Sequence, residues 1–168
     1  MFSQNIENDI VKYAKENYDK VLELIPSSKE NLYGFETRNL FTICEIGNPI
    51  RMLKIVDECK VEMTNEWRVP LLIAEKYITL LTIIENNQNY EIVDVGGNKL
   101  AGLIDNYNNE GKKISYLLRD YKMRIDYVSF EFTSFSDKNF YKIQQREQNP
   151  TICKESISLD EILKIHKL

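Results

Sequence analysis

WRVPLLIAEKYITLLTIIENNQNYEIVDVGG, running from Trp67 to Gly97, is the stretch that decides the fold. Runs rich in β-branched and aromatic residues, Trp67 to Ala74, Tyr77 to Glu85 and Tyr90 to Val95, are separated by Glu75-Lys76 and by Asn86 to Asn89. Joints of that length are hairpin loops, so these runs predict an antiparallel meander. Val69 to Ile73 and Tyr77 to Ile84 are almost continuously apolar rather than alternating, which implies that parts of the sheet are covered on both faces. Pro70 has no N–H to give a ladder and restricts its strand to an edge or a bulge. Another strand is expected just upstream, over Ile50 to Val56.

Toward the N-terminus, Ile6, Ile10, Tyr13, Ala14, Val21, Leu24 and Ile25 recur at three and four residue steps. They predict a long first helix lying on one face of the sheet and stopped by Pro26. A shorter helix is expected after Thr37, with Leu40, Phe41 and Cys44 on one side and Gly47-x-Pro49 as its stop; a strand over Leu40 to Ile46 is the alternative. Toward the C-terminus, Gly96-Gly97 forms a tight turn and Asn98 caps a helix. Its stripe, Leu100, Leu103, Ile104, Tyr107, Ile114, Leu117, Leu118 and Tyr121, weakens at Asn108 to Gly111, where a break into two helices is expected. Strands follow at Met123 to Thr133 and Phe140 to Gln145, and the capping box Ser158-x-x-Glu161 opens a short terminal helix. With no repeat or long linker, the reading is one α+β domain over residues 1–168.

The chain has 168 residues, 43% of them hydrophobic, enough for a core and against general disorder. A net charge of −4 and a pI near 5.2 lack the basic footprint of a phosphate-backbone binder, so no nucleic acid is expected as partner. Residues 1–97 carry 16 acids against 10 bases, whereas residues 98–168 carry 10 against 12. The basic cluster Lys112, Lys113, Arg119, Lys122 and Arg124 reads as a solvated helix face and helix end. Abundant Ile, Asn and Lys with scarce Ala and Arg are the codon signature of an A+T-rich genome. Glu75 and Lys76 interrupt the most apolar region, Val69 to Ile84, so no transmembrane helix and no membrane partner are expected. Met1 to Asp9 lacks the basic-then-apolar order of an export signal, which places the chain in the cytoplasm as written, or outside if a signal has been removed. Cys44, Cys59 and Cys153 match neither a disulfide framework nor a metal knuckle and are expected as reduced thiols, at least two of them buried.

The order Gly34-Phe35, Thr37, Leu40, Gly47, Pro49-Ile50, Trp67-x-Val69-Pro70 and Gly96-Gly97 resembles a group of small α+β proteins of anaerobic bacteria, many of them exported. The likeness covers roughly Asn31 to Tyr121 and implies a shape rather than an activity. In outline, a helix followed by a meander is also similar to cystatin-like and NTF2-like folds, although the inhibitor-type Gln-x-Val-x-Gly loop has no counterpart.

Candidate chemistry is sparse. His166 stands third from the C-terminus, so a histidine-dependent triad would rest on a fraying end. The cysteines are too far apart for a zinc knuckle, and the carboxylates show no DxD, ExxE or EF-hand spacing. Val95-Gly96-Gly97-Asn98 could hold an anion at a helix start, but a plain turn and cap explain it as well. No catalytic, metal-binding or cofactor-binding residue is therefore expected. Trp67 and Arg68, an aromatic and a cation at a strand edge, are candidate anchors for a partner, with the lid of a core as the structural alternative. In the strand after Asp126, Val128, Phe130 and Phe132 share the face expected to be core. Tyr127, Ser129 and Glu131 share the other, which leaves Tyr127, with Phe135 beyond the strand end, for a partner protein or a second copy. The expected function is a non-enzymatic protein-interaction module such as an inhibitor, immunity or accessory protein. The alternative is a small-ligand binder or simple enzyme with a pocket between a curved sheet and its helices.

Overall fold

The computed structural model of the chain describes residues 2–56, 60–130, 139–144 and 149–168. In chain order the elements are α1 (Phe2–Leu22), two 3-10 turns (Glu30–Tyr33 and Arg38–Ile43), β1 (Glu45–Ile46), β2 (Ile50–Val56), β3 (Lys60–Ile73), β4 (Lys76–Asn86), β5 (Asn89–Gly96), α2 (Asn98–Asn109), β6 (Tyr116–Asp120), β7 (Ile125–Ser129), β8 (Asn139–Gln144), β9 (Thr151–Ser158) and α3 (Leu159–His166). The class is α+β, as expected, with nine strands among the described residues in a mostly antiparallel sheet. The exception is β2, which runs parallel to β6. The described residues form two compact units, each discontinuous in sequence: Met1–Pro49 with Asn65–Asp105, and Ile50–Thr64 with Asn106–Leu168. No linker announces the division; β3 contributes its first residues to the second unit and the rest to the first.

The first unit is built on the expected meander, with β3 against β4 (Trp67↔Ile83, Val69↔Leu81) and β4 against β5 (Leu81↔Val95). Its hairpins turn at Ala74-Glu75 (φ 48° and 66°) and Asn87-Gln88 (φ 50° and 65°), two-residue loops with both residues in the left-handed region, as a type I′ turn requires. The β3–β4 register shifts between Leu71 and Leu72, directly after Pro70, which is the irregularity a strand proline demands. Ile10, Ala14 and Leu22 of α1, with Ile25 beyond it, are buried against Trp67, Val69, Leu71, Leu81 and Ile83. Leu24, read as part of that stripe, is 79% exposed because the helix ends at Leu22 and the chain leaves its period before Pro26.

The helix expected after Thr37 is only a 3-10 turn, and of the strand alternative over Leu40 to Ile46 only Glu45–Ile46 is strand, pairing with β3 at Leu72 and Leu71. Arg38 fixes this segment. Its Nε donates to Glu30 Oε1 at 3.0 Å, another nitrogen donates to the Ile25 carbonyl, and the guanidinium lies 5.2 Å from the centre of the Phe41 ring. Phe41 in turn meets Phe35 edge-to-face at 4.9 Å. Asn98, read as a cap, is instead the first residue of α2, and Gly97 before it takes the positive φ of 78° that the turn needs.

In the second unit β2 joins β6 in parallel, and β6, β7, β8 and β9 follow antiparallel. The second half of the helix expected between Leu100 and Tyr121 is a loop and β6. Gly111, at φ 78°, breaks the chain, and Leu117 and Leu118, adjacent in sequence and both buried, point to opposite faces of a strand. A doubly covered strand and a helix stripe are alike in a short apolar run, which is why the period misleads here. β7 is shorter than the strand read from Met123; Glu131, Phe132 and Thr133 lie outside the described residues. β9 has no counterpart in the sequence reading, since Lys154-Glu155-Ser156 gives it little strand character. The basic cluster is no helix face: Lys112 and Lys113 sit in the loop after α2, Arg119 on β6 makes a bidentate pair with Asp126 (2.7 and 2.9 Å), and Lys122 and Arg124 lie in the turn after β6.

The capping box of α3 is complete, with the Ser158 hydroxyl accepting from Glu161 N and the Glu161 carboxylate accepting from Ser158 N. These bonds to Ser158 hold the Glu161 carboxyl below its ordinary pKa. Ile162 and Leu163 join Leu53, Leu118, Tyr127 and Phe140 in a second hydrophobic core. Cys44 and Cys153 are free thiols but half-buried rather than buried, and Cys59 lies outside the described residues.

Candidate functional site

β7 determines what the second unit offers to a partner. Alternation puts Tyr127 and Ser129 on one face, Val128 and Phe130 on the other. Over Tyr127 to Ser129 both faces are covered: Val128 is buried as expected, and Tyr127 and Ser129 on the face expected to be free are buried as well. Tyr127, expected to be free, is 1% exposed, because Ile162 and Leu163 of α3 pack in the same cluster. Burial first, then the charge of Asp120, pushes its hydroxyl pKa upward. Phe130, expected in the core, is only half-buried.

Phe130 stands between two tyrosines. The Tyr107 ring from α2 stacks on it at 5.6 Å and 28°, and the Tyr141 ring from β8 lies 5.2 Å away, tilted by 58°. Tyr141 is next to Phe130 because β8 pairs β7 with Tyr141 opposite Val128, two residues earlier on the same face. These rings line an open groove of about 660 Å³, continued by Ile152 and Cys153 of β9. Lys112, Lys113 and Lys154 also line it. Lys112 Nζ lies 5.5 Å from the centre of the Tyr107 ring and 3.3 Å from Glu110 Oε2. Each aromatic contact is worth about 0.5–1.5 kcal/mol beyond the area it buries, so the rings are held in place before anything binds.

Trp67 and Arg68, singled out as anchors, do not line this groove. Trp67 is 2% exposed and belongs to the core of the first unit, so it is the lid of a core and not a free anchor. Arg68 is engaged, bonding the Thr82 hydroxyl and pairing with Glu66 at 3.3 Å. Phe135 lies outside the described residues. Tyr107 is the groove residue that sequence reasoning missed, whereas Tyr141 belongs to a run, Tyr127, Phe130, Phe132, Phe135, Phe140 and Tyr141, richer in aromatics than one sheet face requires, any exposed member of which is a candidate for an interface. Tyr107 was counted into a helix stripe and Tyr141 into a strand, and only the pairing of β7 with β8 brings them together.

His166 is not at a fraying end. Its Nδ1 lies 2.9 Å from Oδ1 of Asp120, which is fully buried and also accepts from Met123 N at 3.0 Å. Lys122 Nζ donates to the His166 carbonyl at 2.8 Å. The pair orients the imidazole and fastens the end of α3 to β6. Asp120 Oδ2 has no hydrogen-bond partner among the described residues, an uncompensated polar atom that makes this contact costly to disturb.

The first unit carries a groove of similar size, lined by Asp9, Tyr13, Glu16, Glu85 and Tyr90. Among the described residues no three His, Cys, Asp or Glu side chains converge as metal ligands, and no helix is long and apolar enough to cross a membrane. Comparison with family models, with curated proteins and with solved structures finds no match to this chain.

Proposed function

We propose that the chain is a non-enzymatic protein-interaction module that receives a segment of another protein in the groove lined by Tyr107, Phe130 and Tyr141. The observation that carries this reading is the half-buried Phe130 held between two tyrosines at the floor of an open groove. Aromatics that are pre-positioned yet accessible are the residues from which binding hot spots are made. An inserted aromatic side chain buries on the order of 150–250 Å², or about 4–6 kcal/mol at the usual coefficient, before the cost of association is subtracted. A docking site of this kind suits an inhibitor, immunity or accessory protein.

The groove's volume also lies in the range of small-molecule sites, so the test must separate the two occupants. Purified wild-type chain and the Tyr141→Ser variant are used as baits in an extract of the native cells, with native mass spectrometry of each eluate. The reading predicts that wild type retains one protein in near-stoichiometric amount and that the variant, with an unchanged circular dichroism spectrum, loses it. A small molecule retained without a protein, or a protein retained equally by both baits, contradicts it.

A further inference from the structure

We infer that the groove's occupant is an extended acidic segment bearing an aromatic residue, an identification that rests on the interaction reading above. Lys112, Lys113 and Lys154 line the groove, and among the described residues no carboxylate lines it with them. Lys113 and Lys154 are exposed and have no ion pair among the described residues. Lys112 pairs with Glu110, but both side chains are more than half exposed, and such a pair is weak enough to be exchanged for a better one. In a chain of net charge −4 this is a local reversal of sign, and complementary charge sets which partner approaches and in what register. Tyr107, Phe130 and Tyr141 between these cations supply the apolar floor for an aromatic side chain.

β9 accounts for the extended form. It ends the strand order of its unit, so among the described residues no strand pairs with its outer edge. Its register against β8 shifts between Tyr141 and Ile143, leaving Cys153, Lys154 and Glu155 opposite Lys142 alone, and such a bulge re-aims side chains. A segment lying along β9 can bond its outer N–H and C=O groups while its side chains reach the groove, the mode of strand addition. Stacked aromatics with cations also suit single-stranded nucleic acid, but a nucleotide chain gains nothing from an open strand edge, and three lysines make a short phosphate track.

The test is a selection from displayed random peptides about twelve residues long, on wild type and on a Lys113→Glu/Lys154→Glu double variant. The inference predicts enriched peptides in which an aromatic residue is flanked by Asp and Glu. A synthetic member should bind the wild-type chain, weaken with rising salt, and bind the double variant about tenfold or more less tightly. It is overturned by enrichment of basic or uncharged peptides, by no enrichment, or by equal binding to both forms. Tighter binding of a single-stranded oligonucleotide than of any selected peptide overturns it too, as does self-association of the chain that the double variant abolishes. If capture from the cell extract still depends on Tyr141 while charge reversal changes nothing, the acidic occupant falls and the interaction reading stands. If capture is indifferent to Tyr141, both fall.

Discussion

Tyr127 and Phe130 are three residues apart and have opposite fates. Tyr127 is sealed under Ile162 and Leu163, so Tyr127→Ala removes a large ring from a closed core and should cost about 3–5 kcal/mol in urea unfolding. Phe130→Ser, at a half-buried position, should cost about 1–2 kcal/mol through its ring contacts and leave a folded chain. The reverse order would show that the faces of β7 are misassigned. Burial pushes the Cys44 thiol up to about 11 from an ordinary 9.0. The folded state therefore holds the thiol proton more tightly than the unfolded state, and the stability this contributes is fully present below pH 9 and is lost as pH rises toward about 11. Tyr18 and Tyr127, also shifted upward by burial, add to the decline above pH 10. Unfolding midpoints across that range should fall for wild type and fall less for Cys44→Ala; equal slopes would remove Cys44 as a contributor. Alternation of side chains along β7 is legible in the sequence. Which face a helix some thirty residues later will cover is not, because the capping box at Ser158 predicts that α3 exists and says nothing of where it docks. His166 was discounted for the same reason: its partner, Asp120, lies 46 residues away.

At the scale of elements, the meander was legible because its hairpins are local and its β-branched runs long, whereas β6 was not, because a strand buried on both faces carries a helix-like apolar stripe. Backbone geometry gives this level its own test. Gly34 has φ 92°, and a Cβ there would lie 2.5 Å from the Ile78 carbonyl oxygen. Gly97 has φ 78°, but a Cβ would meet only Leu80 Cδ1 at 3.6 Å. Gly34→Ala therefore faces both the left-handed strain and a backbone clash and should cost about 3 kcal/mol or more, while Gly97→Ala should cost about 1 kcal/mol, from strain alone. Thermal unfolding of the two variants checks the order, and equal losses would mean that the chain at Gly34 moves away from Ile78 freely.

For the molecule as a whole, the interruption of the most apolar run by Glu75 and Lys76 agrees with the lack of a membrane-crossing helix among the described residues, but composition averages away a local feature. A net charge of −4 conceals a lysine-lined aromatic groove whose residues come from α2, the loop after it, the end of β7, β8 and β9. No spacing rule reaches across five segments, and tertiary pairing alone assembles them. The central claim is that this groove is where a partner protein docks, and site-specific crosslinking addresses it most directly. A photoreactive phenylalanine analogue is placed at Tyr141 and, as a control, at Tyr121, which is 68% exposed and does not line the groove. On irradiation in an extract of the native cells, position 141 should give one covalent adduct to a protein of defined mass and position 121 none. No adduct from position 141, or the same adduct in equal yield from position 121, would contradict the account.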